Sequence, residues 1–128
     1  MPPTEIQVQI FGTKKNADTR KALRFFAERR VKTHFVDLNE RAASLGELRR
    51  FAQKFGVQPL VDRGSKRFAD LGLRTAMYSD ERWLDLLVDE PLVLTQPLVR
   101  MQNRLSLGMD EKRFKEWLDP AQADRVGR

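Results

Sequence analysis

The sequence predicts a single α/β domain ordered β-α-β, helical insert, β-hairpin and C-terminal helix. Three observations carry this prediction. Two stretches of strand character, at Ile6–Ile10 and Val31–Leu38, flank a segment with helical spacing of its apolar residues. Spacings of three and four dominate the middle of the chain, from Leu45 to Val88. Two short apolar stretches then precede a final helical stripe. The 128 residues suit one domain with one core.

Each element has its own local signal. Ile6, Val8 and Ile10 alternate with Gln7 and Gln9, the period of a strand with one better-buried face. Gly12 to Asn16 reads as a loop, and Asn16 as the cap of a helix over Ala17–Arg30, because its side-chain oxygen accepts from a first-turn N–H. Leu23, Phe26, Ala27 and Arg30 share one predicted face of that helix, with Ala22 and Phe26 four apart. Val31 to Leu38 returns as a strand, and a helical crossover favours a parallel pair. In the insert, placed at about 42–90, Leu45, Leu48, Phe51, Ala52 and Phe55 define a helix that stops at Gly56. Arg63-Gly64-Ser65 is a turn before a short amphipathic piece with Phe68 and Leu71. A helix over Ser79–Val88 buries Trp83, Leu84 and Leu87, capped by Ser79 or Asp80. Strands at 97–101 and 104–107 enclose the turn Gln102-Asn103. Asp110 caps a last helix with Phe114, Trp117 and Leu118 on one face. The domain is placed at 5–118, with a polar tail over 119–128.

Composition excludes several chemistries. There is no cysteine, so disulfides, thiolate metal sites, CxxC redox chemistry and cysteine nucleophiles are excluded together. One histidine, His34, leaves no His-based metal cluster or Ser-His-Asp triad, and it reads as a strand-edge or packed side chain. No phosphate-binding glycine motif is present. The eight phenylalanines and two tryptophans fall mostly at helical spacings, as core residues do. Formal net charge is +6, but the cations are interleaved with 18 carboxylates and no basic run carries stacking aromatics. Direct nucleic-acid recognition is therefore not expected. No apolar run approaches the roughly 20 residues that cross a bilayer, and Met1–Glu5 has no signal-peptide pattern. A cytoplasmic location is the expectation, with no membrane association.

Three stretches in order resemble the ArsC/Spx family of glutaredoxin-like proteins. They are Phe11 to Ala22 (FGTKKNADTRKA), the weaker Arg63 to Phe68 (RGSKRF), and Pro91 to Leu118 with Pro97-Leu98-Val99, Arg104 to Gly108 and the capped helix. The resemblance covers residues 6–118 and implies a thioredoxin-like fold with a helical insert. It also implies a cis peptide bond before Pro97. The family's nucleophilic cysteine falls on Asn16, or on Ala17 with a one-residue shift, and its downstream partner falls on Thr19. Neither position holds sulfur. Gln96 stands where the family has an arginine before the proline. The reductase mechanism fails on both residues.

What remains is the outline of an anion site. Lys14, Lys15, Asn16, Thr19 and Arg20 crowd a helix N-terminus that favours negative charge. Pro97 lies opposite by resemblance, with Arg100 and Arg104 on the hairpin; the resemblance also makes Arg63 or Arg67 the counterpart of an insert arginine in the arsenate reductases, the alternative being a surface turn arginine. A phosphate, a sulfate or the carboxylate of glutathione is the ligand class such groups suit. The structural alternative is that Asn16 only caps the helix, Thr19 faces its first turn and the lysines are solvated. The expected function is a binding or regulatory module with a protein partner and no resident cofactor. Spx, by resemblance, is a transcriptional regulator that contacts RNA polymerase. The rival expectation is an arsenate-reductase-like or glutathione-dependent enzyme that borrows an external thiol.

Overall fold

A computed structural model describes residues 6–119. Strand β1 (Gln7–Gly12), helix α1 (Ala17–Glu28) and strand β2 (Lys32–Asp37) come first. Helices α2 (Leu45–Phe55), α3 (Lys66–Asp70) and α4 (Asp80–Asp89) follow, then strands β3 (Leu98–Met101) and β4 (Arg104–Leu107) and helix α5 (Glu111–Leu118). The sheet order is β2-β1-β3-β4. β1 runs parallel to β2, with Gln7 beside Lys32 and Gly12 beside Asp37. It runs antiparallel to β3, which pairs antiparallel with β4. Residues 120–128, all of the expected tail but Asp119, lie outside the described residues, as do residues 1–5. Among the described residues no helix is long and apolar enough to cross a membrane.

The strand period sorts the sheet's side chains into two cores. Val8, Ile10, Val99 and Met101 face α1 and α5, where Phe25, Phe26, Phe114 and Trp117 close over them. Phe26 and Phe114 meet with ring centroids 4.9 Å apart, within the range where tilted aromatic pairs attract. Phe11, Val36, Leu98 and Leu105 face the insert and pack with Leu48, Phe51, Trp83 and Leu87.

The buried face of α1 keeps the expected Ala22 and Phe26 but otherwise differs from the expected one. It consists of Thr19, Ala22, Phe25 and Phe26, while Leu23 is half-buried and Ala27 and Arg30 are exposed. A buried threonine heads the stripe because hydrogen bonds satisfy its hydroxyl, which hydrophobic periodicity does not register. The helix also ends earlier than Arg30, which takes a left-handed φ of 57°. The Arg30 N–H donates to the Ala27 carbonyl and the Val31 N–H to the Phe26 carbonyl, the two bonds of a Schellman ending.

In the insert, Ser44 caps α2 with a reciprocal capping box, its hydroxyl accepting from the Glu47 N–H while the Glu47 carboxylate accepts from the Ser44 N–H. Gly56 ends α2 at φ 86°, a conformation glycine adopts without strain. Ser79 rather than Asp80 caps α4, accepting from the Arg82 N–H. Short 3-10 turns at Gln58–Leu60, Leu73–Thr75 and Pro91–Val93 join these helices, and hydrophobic periodicity had not marked them. Pro91–Val93 leads into residues 94–97, which return the chain to the sheet beside the β1–α1 loop.

Candidate functional site

The loop between β1 and α1 forms around a close approach. A Cβ on Gly12 would lie 2.3 Å from Thr19 Oγ1, so a glycine at the strand end lets the first helical turn pack directly on it. The Asn16 N–H donates to the Thr13 carbonyl at 3.1 Å and closes the turn. Asn16 sits in extended conformation at the helix cap, and its Oδ1 accepts from the Thr19 N–H at 2.8 Å and from Thr19 Oγ1 at 3.1 Å. One of the helix's unpaired N–H groups is thereby satisfied from within the chain.

A second amide reaches the loop from the opposite side. The Gln96–Pro97 peptide bond is cis. Gln96 Oε1 accepts from the Thr13 N–H at 2.7 Å and from Thr13 Oγ1 at 3.0 Å, and Thr19 Oγ1 lies 3.4 Å away. The Thr19 hydroxyl has one proton, and the shorter contact assigns it to Asn16. Thr19 is fully buried and Thr13 nearly so. No buried side-chain polar atom among the described residues lacks a partner. Thr13, Asn16, Thr19 and Gln96 thus form a closed network of neutral groups. It contains no thiol, imidazole or carboxylate. Among the described residues no group of His, Asp and Glu side chains is arranged to hold a metal ion.

The remaining site residues are placed as follows. Arg20 folds back on the loop, donating from one guanidinium nitrogen to the Lys14 carbonyl at 2.8 Å and the Lys15 carbonyl at 2.9 Å. The Lys14 ammonium lies 5.9 Å from the Phe35 ring, and Lys15 is exposed. Pro97 is buried beside the network, and its carbonyl accepts from the Gly108 N–H. Arg100 and Arg104 lie further along the hairpin. Arg100 donates to the Gln102 carbonyl and Arg104 to the Trp117 carbonyl. Arg63 donates to Gln58 Oε1 and covers the Phe68 and Trp83 rings. Arg67 grips the Glu90 carboxylate through two bonds of 3.0 and 2.7 Å. Those bonds hold Glu90 below the usual glutamate range and raise Arg67. The structure brings together Asn16, Thr19, Gln96 and Pro97 with the lysines and Arg20 around them. Arg100 and Arg104 make their bonds on the hairpin, and Arg63 makes its own in the insert. His34 is exposed on edge strand β2.

Residues 11–117 match the ArsC family. The chain belongs to the ArsC family. Among curated proteins it is similar to Global transcriptional regulator Spx 2 of Bacillus cereus, 23% identical over 113 residues that cover 87% of this chain and 86% of the relative. Its structure is similar to that of an ArsC-family-related protein from Bacteroides fragilis, with a TM-score of 0.78 and 13% identity over 88% of this chain and 98% of the other. An arsenate reductase from Vibrio cholerae gives a TM-score of 0.74 at 19% identity, over 86% and 97% of the two chains. The fold is thioredoxin-like, as the resemblance implied.

Against that family background, this ArsC-family chain has no sulfur to place at the loop. Gln96 is more than a missing arginine. Its Oε1 accepts from the Thr13 N–H and hydroxyl, two donors that would otherwise be open to a ligand. Reading the sequence identified Asn16, Thr19 and Gln96 but not Thr13, whose partner lies 83 positions away. The available signal was Gly12-Thr13 at a strand end, too common a pair to single out.

Proposed function

We propose that this ArsC-family chain is a binding or regulatory module and not a thiol reductase. The observation that carries the proposal is the closed network at the loop. Thiol reduction needs a thiolate, which a helix N-terminus stabilises by lowering its pKa. An asparagine amide cannot attack arsenate or a disulfide. An oxyanion entering this loop would also have to displace Gln96 Oε1 from two donors and compete with Asn16 for the Thr19 N–H. A displaced amide oxygen needs new partners, and each unmade buried hydrogen bond costs about 1–3 kcal/mol.

The similarity to a protein named as a transcriptional regulator supports a regulatory role on the same scaffold. A protein partner and a cytoplasmic location belong to this reading, and RNA polymerase, the partner implied by the resemblance to Spx, is the first to assay. The test is arsenate turnover with glutathione as the external thiol. Turnover at buffer background is the expected result. Turnover above background that falls in the Asn16→Ala and Gln96→Ala variants would overturn the proposal, because it would place chemistry at the loop without a resident thiol.

A further inference from the structure

One face of α2 takes no part in the core. Gly46, Arg49, Arg50, Gln53 and Lys54 recur at intervals of three and four and form a single stripe along the whole helix. Leu48 and Phe51 point the other way, into the core. The stripe forms one wall of a groove of about 660 Å³, and Asn103 and Leu105 of the hairpin form the other. Three cations and no carboxylate stand in this lining. Glu81 of α4 bonds Arg49, whereas Arg50 and Lys54 make no ion pair among the described residues. Glu47 is turned to its own helix cap.

Gly46 is a second, independent observation. Its backbone needs no glycine, since its φ is not left-handed, and packing needs none either: a Cβ there would meet nothing nearer than Ser44 Oγ at 4.0 Å. Glycine inside a helix is a destabilising choice relative to alanine. The fold does not ask for it, and Gly46 is one of the residues that line the groove.

We infer that this groove is the docking site for an acidic segment of a protein partner. The inference deepens the proposed function by locating the surface that serves it. Charge decides the class of occupant: unpaired Arg50 and Lys54 attract carboxylates and steer their approach. A single-stranded nucleic acid would need aromatic platforms for its bases, and no aromatic residue lines the groove. A lipid surface would need exposed apolar side chains, which the stripe does not have.

The experiment is fluorescence anisotropy of a labelled short peptide rich in Asp and Glu with one central leucine, titrated with the full chain. An oligouridylate of the same length and inorganic phosphate serve as comparison ligands. Saturable binding of the peptide is expected, weakened by at least about tenfold in the double variant Arg50→Glu, Lys54→Glu, whose exposed side chains leave the fold intact. Gly46→Ala is expected to raise the thermal midpoint while weakening binding, a combination that a merely structural glycine would not produce. Absence of saturable peptide binding, tighter binding of the oligouridylate, or unchanged affinity in either variant would overturn the inference. Such a failure with arsenate turnover still at background removes the groove alone, whereas turnover above background strikes the proposed function itself.

Discussion

Asn16 Oδ1 accepts from Thr19 and Gln96 Oε1 accepts from Thr13 at the β1–α1 loop, and each contribution can be tested by removing one side chain. Gln96→Ala leaves the Thr13 N–H and hydroxyl without an acceptor in a nearly buried position. A loss of about 1–3 kcal/mol is expected in urea denaturation, as for any buried donor deprived of its partner. Asn16→Ala removes the cap of α1 and should lower stability by about 1 kcal/mol. A Gln96→Ala variant as stable as the parent would mean that Gln96 merely lies near the loop. Asn16 was legible as a cap from its place before a helical run. Gln96 was legible as a departure from the family pattern but not as an acceptor, because its partner is brought to it by the fold and not by the local sequence.

At the scale of the element, boundaries and pairings separate what local sequence encodes from what it does not. The capping residues Asn16, Ser79 and Asp110 and the stop at Gly56 are short-range signals, and the structure uses each of them. The end of α1 was misplaced because Arg30 carries no mark of a left-handed residue, although it occupies the position where glycine is favoured. Arg30→Gly should therefore stabilise the chain by up to about 1 kcal/mol, measured by thermal denaturation. Between α3 and the end of α4, the Arg67–Glu90 pair gives the stability a pH dependence. Hydrogen bonding from Arg67 lowers the Glu90 pKa against an opposing desolvation effect, and the Arg67 charge adds a smaller lowering. A carboxylate whose folded value lies below its unfolded value contributes stability above the ordinary glutamate value, and that contribution disappears as pH falls through the lowered folded value. The stability gap between the parent chain and Arg67→Ala should thus narrow as the solution is acidified below pH about 4.5. A gap that stays constant across that range would show that the pair acts through packing alone.

At the scale of the whole molecule, one sheet separates two cores with different roles. The core under α1 and α5 holds the loop's helix in place, and Phe114 is fully buried there against Phe25, Phe26 and Trp117. Phe114→Ala should cost about 3–5 kcal/mol in chemical denaturation. The core under the insert anchors α2 and leaves its basic stripe outward. The order of elements was legible because strand and helix periods alternate cleanly along the chain. The three 3-10 turns were not, since each spans three residues and has no periodicity to detect. The central claim concerns how these parts meet at the loop: the Thr13 and Thr19 donors are held by the chain's own amides and do not await a ligand. The most direct test is an amide NMR titration with arsenate, read at Thr13 to Arg20 and at Gln96 to Arg100. The account predicts no localised, saturable shifts in either stretch, and saturable shifts in both would contradict it.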